Sequence, residues 1–205
     1  PDGPLLLLAN EFFDALPVRQ LQRTSAGWCE RLVGNGAEGL QLVLSAPDAP
    51  AAALIDPDVR HSASEGAIAE IQPAALAIAA AIAGRISTTG GAALIVDYGY
   101  GDSAPGDTLQ AVKAHKPHDV LAEPGAADLT VHVDFGALAR AAGDRVLPFG
   151  PCGQGAFLQA LGVEVRAEQL LARATPDQRS SIRSGLTRLI DPAETLPGSF
   201  EPDFS

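Results

Sequence analysis

The sequence predicts an α/β fold with a doubly wound, mostly parallel sheet, and three segments carry that prediction. Residues 5–9 (LLLLA) form a continuous apolar run between Pro4 and Asn10, the pattern of a strand buried on both faces of a parallel sheet. Pro73 suits the first turn of a helix, where its missing N–H costs nothing, and AALAIAAAIAGRI extends that helix to Ile86 before Gly90-Gly91 closes the connection. Residues 92–97 (AALIVD) are a second buried run. Strand, helix and strand joined by a short Gly break make the βαβ unit of such sheets.

The remaining elements follow in order. Residues 18–24 and 28–33 read as mixed strands, and Leu40, Val43 and Leu44 mark another, with Gly34-Asn35-Gly36 as a hairpin turn between them. Residues 45–64 are rich in Pro, Ala and Asp and read as an exposed loop. Residues 98–105 form a glycine-rich loop. Residues 128–133 alternate as a strand, and Asp134 caps a helix over 135–142. A short strand at 146–149 and a helix around 155–161 come next. Thr175-Pro176-Asp177-Gln178 opens a further helix reaching Leu189, with Thr as N-cap, Pro at the first position and Gln at the third. The closing PGSFEPDFS has no periodicity.

Composition narrows the function. With 205 residues, 46% hydrophobic and 19% charged, the chain can bury a sizeable core. A net charge of −11 leaves no surplus of Lys and Arg to neutralise phosphates, which argues against nucleic acid or an anionic membrane as partner. No apolar run approaches the length of a membrane span. Cys29 and Cys152 stand without a CxxC or a His at metal spacing and read as buried free thiols of a reducing compartment. The first residue is Pro1 and methionine is absent, so the sequence is expected to begin inside a longer protein or to lack some of its residues.

Several motifs are weighed and set aside. Gly99-Tyr100-Gly101-Asp102-Ser103-Ala104 fits a G-x-G-x-x-A dinucleotide pattern, with Glu123 downstream as a ribose acid. That pattern needs a helix N-terminus facing the pyrophosphate, and Pro105-Gly106-Asp107 is a turn instead. His115 and His118 flank Lys116-Pro117 too irregularly for a metal face, and no metal is expected. No G-x-S-x-G is present, so a nucleophile elbow is excluded.

Two segments remain. In 128–134, alternation puts Asp128, Thr130, His132 and Asp134 on one face of an extended segment, either as a site or as a solvated face with a helix cap. Asn10-Glu11-Phe12-Phe13-Asp14 lies just past the carboxyl end of the first strand, where open α/β sheets place ligands. In a helical turn Glu11 and Asp14 share one side at i and i+3, with one phenylalanine facing the core and the other a pocket. The alternative is an ordinary cap with first-turn acids favoured by the helix dipole.

ANEFFDALPVRQ, WCERLVG, ALIVDYGYG, GDTLQAVKAH and PGAADLTVHVDF occur in the order and spacing of MidA-like proteins, and GQGAFLQALGVEVRAEQL and RLIDPAE continue the match. The chain resembles this family of class I S-adenosylmethionine-dependent methyltransferases, which includes a mitochondrial complex I assembly factor that methylates an arginine of a core subunit. The resemblance departs at two points. No E-x-G-x-G loop precedes Leu5, and no Met-Gly followed by Leu-Phe-Lys appears near the end.

The resemblance implies a Rossmann-like methyltransferase sheet with added helices and strands, seen as its C-terminal portion. In it 18–64 form a β-rich insertion and 105–205 a family-specific extension. It implies S-adenosylmethionine as cofactor and residues 5–9 as the fourth sheet strand, with Asn10 and Glu11 beside the methyl donor. Glu11 and Asp14 are the expected catalytic acids, orienting a guanidinium that stays protonated up to a pKa above about 12. Asp97, Tyr98, Gly99, Thr130 and Asp134 are the expected substrate-binding residues. The expected partner is a complex I subunit or a bacterial counterpart, with a homodimer open. The expected location is the cytoplasm of a bacterium or the mitochondrial matrix of a eukaryote. A non-catalytic assembly or scaffold protein on the same fold is the alternative, and transfer to something other than arginine is a third reading.

Overall fold

The computed structural model describes residues 3–37 and 39–190, and the chain divides into two units between Phe149 and Gly150. Expectations for Pro1-Asp2 and for the segment from Asp191 onward lie outside the described residues. In chain order the first unit holds β1 (Leu5–Asn10), β2 (Arg19–Thr24), β3 (Gly27–Gly36), β4 (Gly39–Pro47), α1 (Ala49–Ala52), α2 (Pro57–Ser62) and β5 (Ile68–Ile71). It continues with α3 (Pro73–Thr89), β6 (Gly91–Val96), β7 (Gly99–Tyr100), β8 (Gln110–Lys113), β9 (Lys116–His118), β10 (Asp128–Thr130), β11 (Val133–Asp134) and α4 (Phe135–Ala142). The second unit holds α5 (Gln154–Ala160), α6 (Val163–Leu171) and α7 (Pro176–Ile190).

The expected βαβ unit is present. β1 pairs in parallel with β6, Leu5 opposite Gly91 and Asn10 opposite Val96, and α3 crosses between them. Helix α3 buries Ala75, Ala79 and Ala83, small residues four apart on one face, which let it lie close to its neighbours. Phe13, Val133 and Leu138 join Ala75 and Ala79 in one core, with Ala9, Ile95 and Ile82 packed against it.

The expectation that residues 5–9 are buried on both faces is corrected. Leu6 is 85% and Leu8 70% exposed, because α3 covers one face of β1 and no described element covers the other.

A second sheet, in the order β4-β3-β2-β5, is antiparallel throughout. Its core gathers Leu21, Trp28, Ile55, Val59, Ala69 and Ile71, each large aliphatic contributing about 1.5–3 kcal/mol on full burial. The expected 45–64 loop is corrected here. β4 runs to Pro47, and two short helices follow because Asp48 and Asp56 cap them by accepting from Ala51 N–H and from Asp58 and Val59 N–H. Ala51, Ala52, Ile55 and Val59 from this segment are buried. The predicted Gly34–Gly36 turn is also corrected: β3 continues through Gly36, which pairs with Gly39.

Residues 128–133 are not one strand. β10 pairs with β8 and β11 pairs in parallel with β7, so the segment is shared between two small sheets. Helix α4 begins where Asp134 was expected to cap it, its carboxylate accepting from Ala137 N–H at 2.7 Å. Residues 146–149 form no strand; Leu147 is 82% and Phe149 91% exposed. The β5 strand, the β8–β9 hairpin and α6 have no counterpart in the sequence reading.

In the second unit the expected helix start is reproduced. Thr175 N–H donates to Gln178 Oε1 at 2.9 Å and Gln178 N–H to Thr175 Oγ1 at 3.4 Å. Both cysteines are free, but Cys152 is exposed rather than buried and only Cys29 matches the expectation. Among the described residues no helix is long and apolar enough to cross a membrane.

Candidate functional site

The carboxyl ends of β1 and β6 lie side by side, and the chain turns sharply after each. Glu11 takes a left-handed backbone angle, φ 45°, unusual for a side chain of its size, and its N–H still donates to Val96 carbonyl at 2.9 Å. Residues 12–14 then fold over Asp97. Asp97 Oδ2 accepts from Phe12, Phe13 and Asp14 N–H at 3.2, 3.0 and 3.3 Å, and Oδ1 accepts from Tyr98 N–H at 3.0 Å. Gln72 donates its amide to the carbonyls of Phe13 and Leu16 at 2.8 and 3.2 Å. Phe13 is fully buried and Phe12 is 45% exposed, the two rings meeting edge to face at 5.3 Å.

This turn is not helical, so the expected shared face of Glu11 and Asp14 is corrected. Glu11 is exposed while Asp14 is only 5% exposed. Asp14 Oδ2 accepts from the Tyr98 hydroxyl at 2.5 Å, and Asp14 Oδ1 is buried without a hydrogen-bond partner. Phe12 faces solvent rather than a pocket.

Asp14, Asp97, Tyr98 and Thr130 are brought together, joined by His132. Burial, reinforced by the hydrogen bond to Asp14 and opposed by one from Thr130, pushes the Tyr98 phenol up to about 12. Its ring meets His132 edge-on at 5.9 Å. Burial, then the nearby Asp14 charge, also pushes Asp97 up, against the backbone N–H groups that hold it down.

Gly99 and Asp134 lie elsewhere. Gly99 sits opposite Val133 in the β7–β11 pair, where a Cβ would come 1.9 Å from the Val133 carbonyl oxygen. Asp134 caps α4 and accepts from the Ser103 hydroxyl, which in turn accepts from Arg140 at 2.5 Å. Arg140 also pairs with Asp56 at 3.1 Å. These groups border a cavity of about 330 Å³ lined by Ile71, Leu76, Tyr100, His132, Asp134 and Leu138 among others. Burial pushes the Tyr100 phenol up, helped by the charges of Asp134 and Glu70. Gln72 escaped the sequence reading; its place just before Pro73, where a helix N-cap belongs, was the available signal.

Comparison with known proteins gives the family. Residues 1–151 match the family described as "Putative S-adenosyl-L-methionine-dependent methyltransferase". The chain belongs to this methyltransferase family. Among relatives, it is 41% identical to mouse "Protein arginine methyltransferase NDUFAF7, mitochondrial" over 94% of its length and 44% of the relative's. It is 43% identical to the Drosophila melanogaster homologue over 95% of its length and 45% of the relative's. Among solved structures it is similar to a Burkholderia thailandensis "likely methyl transferase" bound to S-adenosyl-homocysteine. The TM-score is 0.74 at 25% identity, covering 95% of this chain and 51% of that one. The chain thus spans less than half the length of these two relatives and about half that of the solved structure. Its mixed α/β architecture, with parallel strand pairs and helices, is that of the cofactor-product-bound structure.

The residues present fit one side of such a cofactor. Asn10 and Glu11 stand at the carboxyl end of β1, Glu11 exposed, and the buried Asp14 Oδ1 is an orphaned acceptor, suited to a cationic group.

Proposed function

We propose that this chain forms the acceptor-facing part of an S-adenosylmethionine-dependent protein arginine methyltransferase. Its acceptor is a subunit of respiratory complex I or a bacterial counterpart, and the modification supports complex I assembly. The observation that carries the reading is the buried Asp14 carboxylate, with one oxygen fixed by Tyr98 and the other without a partner.

When bound, the cofactor supplies an electrophilic methyl group on a sulfonium centre. Asn10 and Glu11 would hold it at the end of β1. A guanidinium carries donors and no acceptors, so Asp14 Oδ1 takes one N–H and turns the planar group toward the methyl donor. The Tyr98 hydroxyl keeps Asp14 from rotating, with Thr130 ordering that hydroxyl. Burial strengthens the carboxylate's hold on the guanidinium's positive charge, so positioning and electrostatics do the catalytic work. Asp97, Gly99 and Asp134 shape the substrate side: Asp97 holds the turn, Gly99 lets β7 and β11 approach, and Asp134 anchors α4 beside the cavity.

The two-stranded β1–β6 pair is read as part of a wider doubly wound sheet. Residues 18–64 are read as a β-rich insertion and 105–205 as a family-specific extension. A homodimer is read from β4, an edge strand without a charged residue on which Leu40, Leu42 and Leu44 are exposed. The mitochondrial matrix in a eukaryote, or the cytoplasm in a bacterium, is the matching location.

The test uses the full-length protein. Calorimetry with S-adenosyl-homocysteine should show binding, and labelled methyl should pass to unmethylated complex I subunits. Asp14→Asn should cut transfer by about 100-fold, the scale of a lost positioning contact, and Glu11→Gln should weaken cofactor binding. No binding of S-adenosyl-homocysteine would leave the non-catalytic assembly factor as the better reading. Unimpaired transfer in both variants would remove these two acids from the mechanism.

A further inference from the structure

We infer that Asp97 and Gln72 are positioning residues that jointly fix the Asp14–Tyr98 pair, an inference that rests on the methyltransferase reading for its catalytic consequence. Asp97 sits at the root of both partners. Its Oδ2 gathers three consecutive N–H groups, the last from Asp14 itself, an anion-binding nest of backbone donors. Its Oδ1 takes the N–H of Tyr98, so one carboxylate sets where Asp14 begins and where its hydroxyl donor begins.

Gln72 holds the same turn by its opposite polarity. Its amide reaches the carbonyls of Phe13 and Leu16, while Val131 N–H donates to the Asp14 carbonyl at 3.0 Å. The peptide groups around Asp14 are therefore tied to the end of β6, the start of α3 and the β10–β11 connection. The Phe13 ring, fully buried, pins the turn from beneath. Little freedom is left for Asp14 except its side-chain rotamer, and Tyr98 removes that.

The chemistry demands a carboxylate at 97. Two anionic oxygens can accept all four N–H groups in charge-assisted bonds. An asparagine offers one oxygen and turns its NH2 toward whichever donors the oxygen does not meet. With the oxygen on the nest, the NH2 opposes Tyr98 N–H and tilts the tyrosine away from Asp14.

Tyrosine-ring 13C NMR of the full-length protein, with the Tyr98 signal assigned by its loss in Tyr98→Phe, tests this alongside transfer kinetics. Asp97→Asn should move the Tyr98 signal and lower kcat by about 10-fold or more with KM for S-adenosylmethionine unchanged. Gln72→Leu should give the same pattern and serves if Asp97→Asn does not fold. Leu21→Ala, in the separate core of the antiparallel sheet, provides a destabilised control that should leave both readouts in place. A Tyr98 signal and kcat unmoved in the Asp97 and Gln72 variants, or moved equally in Leu21→Ala, would overturn the inference. Should the protein transfer no methyl group, the NMR comparison still decides whether Asp97 and Gln72 position the pair.

Discussion

The pairing of Asp14 with Tyr98 can be measured by a double-mutant cycle. Tyr98→Phe deletes the hydroxyl and keeps the ring against His132. Asp14 is 5% exposed and its second oxygen has no partner, so the variant leaves a buried carboxylate without its side-chain donor at 2.5 Å. A hydrogen bond to a charged group contributes about 1.5–3 kcal/mol. For a domain of this size each kcal/mol moves Tm by roughly 2–4 °C, so a fall of about 3–12 °C is expected. Asp14→Ala removes the acceptor altogether. Because each change breaks the same contact, the double variant should lose less than the sum of the two, with a coupling of about 1.5–3 kcal/mol. Urea unfolding at neutral pH, followed by circular dichroism with the slope checked for constancy, supplies the three differences. The raised phenol pKa gives a second handle. Stability from the protonated Tyr98 is fully present below pH 10 and disappears as pH rises through about 12, a loss that Tyr98→Phe should not show. Losses in the cycle that add to within about 0.5 kcal/mol would refute the idea that the two side chains act as one unit.

Three further outcomes are expected. Gly99→Ala places a Cβ 1.9 Å from the Val133 carbonyl oxygen, so β7 and β11 must part and thermal unfolding should register at least the roughly 1–3 kcal/mol of an overpacked site; an unchanged Tm would contradict the close approach. Asp134→Ala removes the cap of α4 and should cost about 0.5–2 kcal/mol in urea unfolding, and a neutral result would mean that Ser103 or water already serves the Ala137 N–H. Asp97 has a raised pKa in the folded chain, so its titration adds stability that is fully present below its ordinary 3.8 and lost as pH rises through the raised value; Asp97→Asn should flatten that acid slope, and an identical slope in both proteins would remove Asp97 as its source.

The fold was legible where local chemistry and tertiary context agreed. LLLLA, the Pro73 helix and AALIVD formed the parallel unit because apolar length and a Gly break leave few other solutions. The Asp134 and Thr175 caps were readable because a cap depends on a few neighbouring residues. What failed depended on partners distant in sequence. Asp48 and Asp56 sit among prolines that suggest a loop, yet Ile55 and Val59 had a sheet face to fill. Alternation in burial held only over the later part of 128–134, with Val131 and Val133 inside but Leu129 50% exposed, and it could not show that the segment changes sheets midway. At the site, residue identity picked out Asp14, Asp97, Tyr98 and Thr130, which the fold brings together, but not which of the two neighbouring acids is buried. The sequence shows that Glu11 and Asp14 are acids three apart. It does not show that Asp97, 83 positions from Asp14, folds the turn so that one acid is exposed and the other buried.

That division explains why a greasy strand ends in acids. Had the chain continued as a helical turn, both carboxylates would sit on one solvated side, where water screens them and an acceptor gains little from either. The left-handed Glu11 costs roughly 1–3 kcal/mol of backbone strain, which the turn's tethers to Asp97, Gln72 and Val131 must offset. In return the backbone doubles back, placing Phe13 in the core and Asp14 under Tyr98, while Glu11 stays at the open edge. A carboxylate held dry and half-satisfied attracts a cation far more strongly than an exposed one, and an exposed neighbour can still meet a cofactor arriving from solvent. The strain at Glu11 and the orphaned oxygen of Asp14 are thus two aspects of one arrangement: the same sharp turn that costs backbone energy also creates a buried acceptor at the carboxyl edge of the sheet.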